Sequence, residues 1–263
     1  MSEAKVIAIT NQKGGVAKST TTVNLGVGLS KLGKKVLVID ADPQGSLSVS
    51  LGIRNPDELE ASLSTLMQSV IEDEPLDEEN ILFHHEEGID LIPSNIELSG
   101  IEISLFNVMS RELILKNCIK HFKESYDYIL IDCMPSLGLM TINALAAADS
   151  IIIPSQPNFL STKGLNLLLR SIAKVKRQIN PALSIDGILL TMVNGRTNNA
   201  KNISASLRES IGGGIRVFDT EIPHSVRIPE SSIEGKSIFA YDRNCKAAMA
   251  YEAFSKEVVS IEK

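Results

Sequence analysis

The sequence contains no tryptophan, and aromatic residues make up only 4% of its 263 positions. A core with so few large rings has to be filled by Ile, Leu, Val, Ala and Met. That is the usual lining of a parallel sheet covered by helices on both faces. Cysteine is scarce as well: Cys118, Cys133 and Cys245 stand far apart, with no CxxC pair and an odd total. The spacing argues against a disulfide framework or a thiolate metal site and fits a reducing compartment. No apolar run approaches the roughly 20 residues that a membrane-spanning helix needs. The opening residues, MSEAK, lead straight into an apolar run and show no signal segment, so a cytoplasmic protein is expected. Positive charge is not in excess: 26 Lys and Arg face 32 Asp and Glu, a net charge of −6. That balance argues against a globally basic nucleic-acid binder while leaving room for a local basic patch.

What is present is ordinary in composition, with 43% hydrophobic and 22% charged residues, and long enough to bury one large core. Short apolar runs at residues 6–10, 36–40, 89–93, 126–132, 151–154 and 185–193 read as strands. Apolar residues at helical spacing predict helices over residues 20–32, 96–108, 111–122, 162–178, 199–211 and 244–260. The alternation predicts an α/β fold, a single doubly wound and mostly parallel sheet flanked by helices. One domain over residues 1–263 is expected, because no repeat, low-complexity tract or linker divides the chain. The stretch from 51 to 88 is the most polar and reads as helix, loop and edge strand.

Between the first strand and the first helix stands NQKGGVAKST, residues 11–20. Glycines let a backbone fold tightly enough for its amides to converge on phosphate oxygens, and the following helix adds its N-terminal dipole. Lys18 supplies a charge toward the outer phosphates, and the Ser19 hydroxyl can ligate Mg²⁺. Measured against GxxxxGK[ST], the loop departs only at Ala17, which replaces the glycine before the lysine. Alanine is unstrained there if its φ is negative and strained if the loop requires a positive φ. Lys13 is a second cation at the same loop, and it reads either as a solvated lysine or as a charge reaching another nucleotide across a dimer.

Two strands end in acids. Asp40 and Asp42, separated by one residue, are expected to project the same way at the carboxyl edge of the sheet, where such folds bind ligands. One of them would hold a metal-bound water while the other orients the attacking water. Without the phosphate loop, an Asp-Pro turn with a helix cap would be the better reading. Asp132 ends the apolar run YDYILID and is placed to bind Mg²⁺, directly or through water. Cys133 reads as a small buried filler.

The loop KGGVAKST, with its flanking NQ and TTTVNL and the later VIDADPQG, resembles the deviant Walker A signature of the ParA/MinD ATPases, and the ParA/Soj branch above all. The resemblance implies a P-loop NTPase fold and Mg·ATP bound by Lys13, Gly14, Gly15, Val16, Ala17, Lys18, Ser19 and Thr20. It implies metal contacts at Ser19, Asp40 and Asp132, with Asp42 and Lys13 as the catalytic pair and Lys13 crossing to the partner's ATP. IIIPSQPNFL, TMVNGR and TEIPHSVRIP resemble later family segments, and through them Asn194 and Pro223 are placed at the adenine. Met134 stands where the family has the first proline of DxPPS, and His224 stands where it has an arginine. Residues 51–110 match least well and are open to a branch-specific role.

By this resemblance the chain is a slow, partner-stimulated ATPase that dimerises with ATP and acts in plasmid or chromosome partitioning. Its ATP form would bind nonspecific DNA through Arg196, Arg216 and Arg227, with Lys201 as a further cation, and would sit on the nucleoid. A ParB-type centromere-binding protein would be its partner. Two other classes stand beside this reading. A MinD-like positioning ATPase needs a terminal helix with a basic face, but residues 245–263 mix Glu252, Glu257 and Glu262 with Lys246, Lys256 and Lys263. No membrane contact is therefore expected. An ATP-dependent small-molecule enzyme is chemically compatible, although the NQKGG and DADPQG segments resemble it less.

Overall fold

Lys5–Ile9 (β1) is buried along almost its whole length, as an unbroken apolar run requires in the middle of a sheet. The computed structural model describes residues 3–75, 78–157, 161–194 and 214–261. After β1 the chain forms Lys18–Lys31 (α1), Val36–Ala41 (β2), Ser46–Ser50 (α2), Leu63–Glu72 (α3) and Glu78–Ile81 (α4). A hairpin of Phe83–His85 (β3) and Ile89–Ile92 (β4) leads into Leu98–Ser104 (α5) and Ile114–Ile119 (α6). Tyr128–Cys133 (β5), Leu139–Ala147 (α7), Ser150–Ser155 (β6), Ser161–Gln178 (α8) and Ser184–Val193 (β7) follow. The chain ends in Val217–Pro223 (β8), Arg227–Ile233 (α9), Ile238–Tyr241 (α10) and Lys246–Ser260 (α11).

The eight strands form one sheet in the order β3-β4-β2-β5-β1-β6-β7-β8. All neighbours are parallel except β3, which pairs antiparallel with β4 at one edge. From β1 the chain winds outward to β2 and β4 on one side. It then returns through β5, beside β1, before winding out to β6, β7 and β8 on the other. The central pair β1 and β5 therefore flanks the point where the winding reverses, and a crevice opens there at the carboxyl ends of the strands. One face of the sheet packs against α3, α5, α6, α7 and α8. The other packs against α1, α2, α10 and α11, with Phe218 and Phe254 edge to face at 4.9 Å. At the β8 edge, the Glu257 carboxylate of α11 accepts from the amides of Asp219 (2.7 Å) and Thr220 (3.0 Å).

Three elements depart from the sequence expectation. Residues 139–147 form α7, yet eight of its nine residues are buried, so there is no polar face to mark a helical period. β8 escapes a strand reading because only Phe218 and Ile222 along it are fully buried. α9 carries Pro229 within its first turn, where the missing N–H costs little. The helices expected over 96–108 and 111–122 exist but are broken into short α and 3₁₀ pieces. The helix expected over 199–211 lies outside the described residues.

Candidate active site

The loop between β1 and α1 is held by its carbonyls. Gln156 Nε2 donates to the Gly15 carbonyl at 2.9 Å, and Thr191 Oγ1 donates to that of Val16 at 3.0 Å. Asn11 reaches back to the Pro154 carbonyl at 2.8 Å and accepts from the Lys13 amide at 3.0 Å. The amides of Gly14, Gly15, Val16 and Ala17 have no partner among the described residues. Gly14 and Gly15 are exposed, and a Cβ on either would meet nothing within 4 Å. Exposed glycines beside amides without internal partners are what a phosphate-binding loop requires.

Lys18 sits behind that loop, 8% exposed, with Nζ donating to the Lys13 carbonyl at 3.4 Å. Burial lowers its pKa, and the charges of Asp132 and Asp42 oppose that shift. Asp132, at the end of β5, is buried beside it, and its Oδ1 accepts from Thr22 Oγ1 at 3.4 Å. Burial first, and then the charge of Asp40 across the β2/β5 register, push the Asp132 carboxyl well above the usual range. Ser19 and Lys18 pull it back. Its Oδ2 is buried with no hydrogen-bond partner. An orphaned carboxylate oxygen close to the Ser19 hydroxyl fits a Mg²⁺ hydrate held jointly with phosphate oxygens. No group of three or more His, Cys, Asp or Glu poised for a metal ion occurs among the described residues. The ion would thus be shared with the nucleotide rather than caged by protein.

Asp40 stands beside Asp132 across the β2/β5 register and has hydrogen-bond partners of its own. It is fully buried, and its oxygens accept from the Ser48 amide and hydroxyl (2.9 and 2.8 Å) and from the Asp42 amide (3.2 Å). Its carboxylate is thereby engaged at the base of α2, and the expected contact of Asp40 with the metal remains a proposal beside that arrangement. Strand alternation stops at Ala41, so Asp42 already belongs to the following turn and the two acids point to different tasks. Burial raises the pKa of Asp40 to about 6 against the stabilising hydrogen bonds of Ser48. Cys133 is buried as expected, and that burial pushes its thiol up to about 12. Met134 packs partly buried against the core in place of the family's proline.

Ala17 has φ 67° and ψ 38°, so this loop does require the left-handed conformation. An L-residue there costs roughly 1–2 kcal/mol, while glycine adds back about 0.5–1 kcal/mol of unfolded-state entropy. Ala17→Gly should therefore raise stability by about 0.5–1 kcal/mol, or about 2 °C in melting temperature for a chain of this size. Differential scanning calorimetry without nucleotide checks this; a lower melting temperature would show that the methyl contributes packing that outweighs the strain.

Beside Ala17 and Thr20 lies a mostly apolar cavity of about 430 Å³, walled by Met192, Ile222, Pro223, Val226, Ile228 and Tyr251 among others. Its position at the start of α1, next to the phosphate cradle, suits a nucleotide base. Pro223 lines this cavity; Asn194 is exposed at the end of β7 and is not among the lining residues. Tyr251 was not legible in advance, since it joins the cavity only through the sheet and α11. Gln156 and Thr191, which brace the loop, fall inside segments whose resemblance was noted.

Of the three arginines assigned to DNA, two lie among the described residues. Arg216 precedes β8 and Arg227 follows it, so a seven-residue strand, about 23 Å long, separates them. Arg227 pairs with Glu230 at 3.1 Å and Asp242 at 3.6 Å. Arg196 lies outside the described residues.

The fold and this site define a P-loop NTPase. Residues 4–185 match the family model described as an AAA domain. Among relatives, the sporulation initiation inhibitor protein Soj of Bacillus subtilis is 41% identical, covering 97% of this chain and 98% of its own length. The chromosome partitioning protein ParA of Caulobacter vibrioides is 38% identical, over 98% and 95%. A crystal structure of cobyrinic acid a,c-diamide synthase from Mycobacterium smegmatis, with bound ADP and magnesium, superposes with a TM-score of 0.84 at 33% identity, over 97% and 94%. The chain belongs to the ParA/Soj family of partition ATPases. Among the described residues no helix is long and apolar enough to cross a membrane.

Proposed function

We propose that the chain is an ATP-driven switch of the partitioning type, which dimerises with Mg·ATP, binds DNA without sequence preference, and resets by hydrolysis. The observation that supports it most directly is the meeting of Lys18, Asp132 and Asp42 behind a loop whose glycines, Gly14 and Gly15, are exposed with open space around them. In this reading the loop amides and Lys18 hold the phosphates, and Ser19 and Asp132 hold the metal side. Mg²⁺, when bound, offsets the charge that gathers on the phosphate oxygens. Asp42 accepts from the Gln44 amide through Oδ1 at 3.0 Å, which fixes its rotation and leaves it to orient the attacking water. The Lys13 ammonium has no ion-pair partner among the described residues and is available to a second nucleotide across a dimer. Pro223 and the apolar wall around it take the base. Nucleoid association and stimulation by a ParB-type partner belong to the same proposal.

A monomer of net charge −6 repels DNA overall. Binding should therefore require the ATP dimer, which doubles the cations on one face, and should fall steeply with salt. Arg227, near the nucleotide edge, is the cation proposed to contact phosphate, at the expense of its two exposed ion pairs, which are worth little. Arg227→Glu should weaken DNA binding about tenfold or more while ATP binding and dimerisation persist. Arg216→Glu, at the opposite end of β8, serves as the comparison. Fluorescence anisotropy with unrelated duplexes, in ATP and in ADP, reads the outcome. Equal binding in both nucleotides, or none with ATP at low salt, would overturn the DNA reading and favour a small-molecule enzyme such as the M. smegmatis protein's name indicates.

A further inference from the structure

We propose that Asp40 is a positioning residue for hydrolysis: it caps α2 from the neighbouring strand and so fixes the turn that carries Asp42. The proposal rests on reading Asp42 as the acid that orients water. α2 begins after Gly45, which has no side chain with which to satisfy the helix's first amides. Asp40 supplies the missing acceptor. Its Oδ2 takes both the amide and the hydroxyl of Ser48, the third residue of the helix, while its Oδ1 takes the amide of Asp42 itself. One buried carboxylate thus holds the turn at both ends, residue 42 and residue 48.

A second strand secures the same turn. Ser48 Oγ accepts from the Ser94 amide at 3.1 Å, just beyond the end of β4. The Ser94 carbonyl would lie 3.1 Å from a Cβ on Gly45, whose φ is +62°. Glycine is needed there for both its left-handed backbone and its missing side chain. The turn is therefore clamped between β2 and the end of β4, and Asp42 adds its own bond to Gln44. Among the described residues all of Asp40's hydrogen bonds run to these donors, so its direct contacts are with the turn that carries Asp42, while it acts on Asp132 by charge alone across the β2/β5 register.

Displacing an oriented catalytic group by about 1 Å can cost about a hundredfold in rate. Ser48→Ala removes one of Asp40's bonds and frees the Ser94 amide without adding volume. It should lower kcat about tenfold and the melting temperature by a few degrees, leaving the KM for ATP and the Mg²⁺ half-saturation close to those of the parent. Asp40→Asn, which sets an amide against three donors, should be slower still, and the double variant no slower than Asp40→Asn alone. Steady-state ATPase assays over ATP and Mg²⁺ concentrations, with Asp42→Ala alongside, separate the outcomes. Normal kcat in Ser48→Ala with an inactive Asp42→Ala would overturn the positioning role and leave the role of Asp42 intact. A tenfold rise in Mg²⁺ half-saturation in Asp40→Asn, with Ser48→Ala normal, would return Asp40 to the metal. An Asp42→Ala protein that hydrolyses at the parent rate removes the premise and the proposal with it. Should Asp40→Asn fail to fold, Ser48→Ala decides alone.

Discussion

A Lys18→Ala protein is expected to give no measurable heat when titrated with Mg·ATP under conditions where the parent saturates. Lys18 lies buried behind the loop, and among the described residues its ammonium donates only to the Lys13 carbonyl, at 3.4 Å. That long bond is readily exchanged for a phosphate oxygen. A charge-assisted hydrogen bond to a phosphate is worth about 2–3 kcal/mol, so its loss alone weakens binding by about thirtyfold to a hundredfold. The remaining loop amides carry only partial charges, and Lys13 has its carbonyl, not its ammonium, at this point. Circular dichroism of the variant without nucleotide confirms that the fold survives. Parent-like affinity in calorimetry would place the phosphates elsewhere.

The second large effect concerns Asp42. Asp42→Ala should bind ATP with near-parent affinity and hydrolyse it about a hundredfold to ten-thousandfold more slowly, the range associated with a lost proton-accepting or water-orienting group. Trapped in the ATP state, it should run as a dimer in light scattering. Two nucleotides facing one another concentrate negative charge at a shared interface, and a lysine from each subunit offsets it. Asp42→Ala/Lys13→Ala should therefore be monomeric under the same conditions. Dimers that persist in the double variant would assign Lys13 to its own nucleotide; parent-rate turnover in Asp42→Ala would assign the water to another group.

How far these residues can be read in advance depends on how local their geometry is. The phosphate loop is written in ten consecutive residues, because strand, glycines, lysine and helix cap follow one another along the chain. Asp132 is equally legible, since an apolar strand ending in one acid fixes where that acid emerges. Asp40 and Asp42 do stand at the carboxyl end of one strand, but β2 ends between them, so strand alternation cannot give the direction of Asp42. The cavity proposed for the base was legible only in part: Met192 and Pro223 fall in the segments TMVNGR and TEIPHSVRIP, whereas Tyr251 on α11 joins them only after the sheet has closed. α7 left no periodic trace because it is buried on nearly every side. Ala17 is the instructive case, since the motif located the position and only the backbone angle could say whether alanine is strained there.

The bond between Glu257 and the outer strand bears on how copies of this protein can join. An edge strand with unpaired amides invites another strand to dock, and any sheet ending in one is open to uncontrolled extension. Here the amides of Asp219 and Thr220 are already taken by a carboxylate from α11, which packs against that strand. At the far edge, β3 is only three residues long and runs antiparallel to its neighbour. A newcomer finds a negative charge at one border and too short a template at the other. Among the described residues, edge-to-edge joining is thereby disfavoured at both borders of the sheet, which leaves the nucleotide face as the surface on which the proposed ATP dimer would have to form.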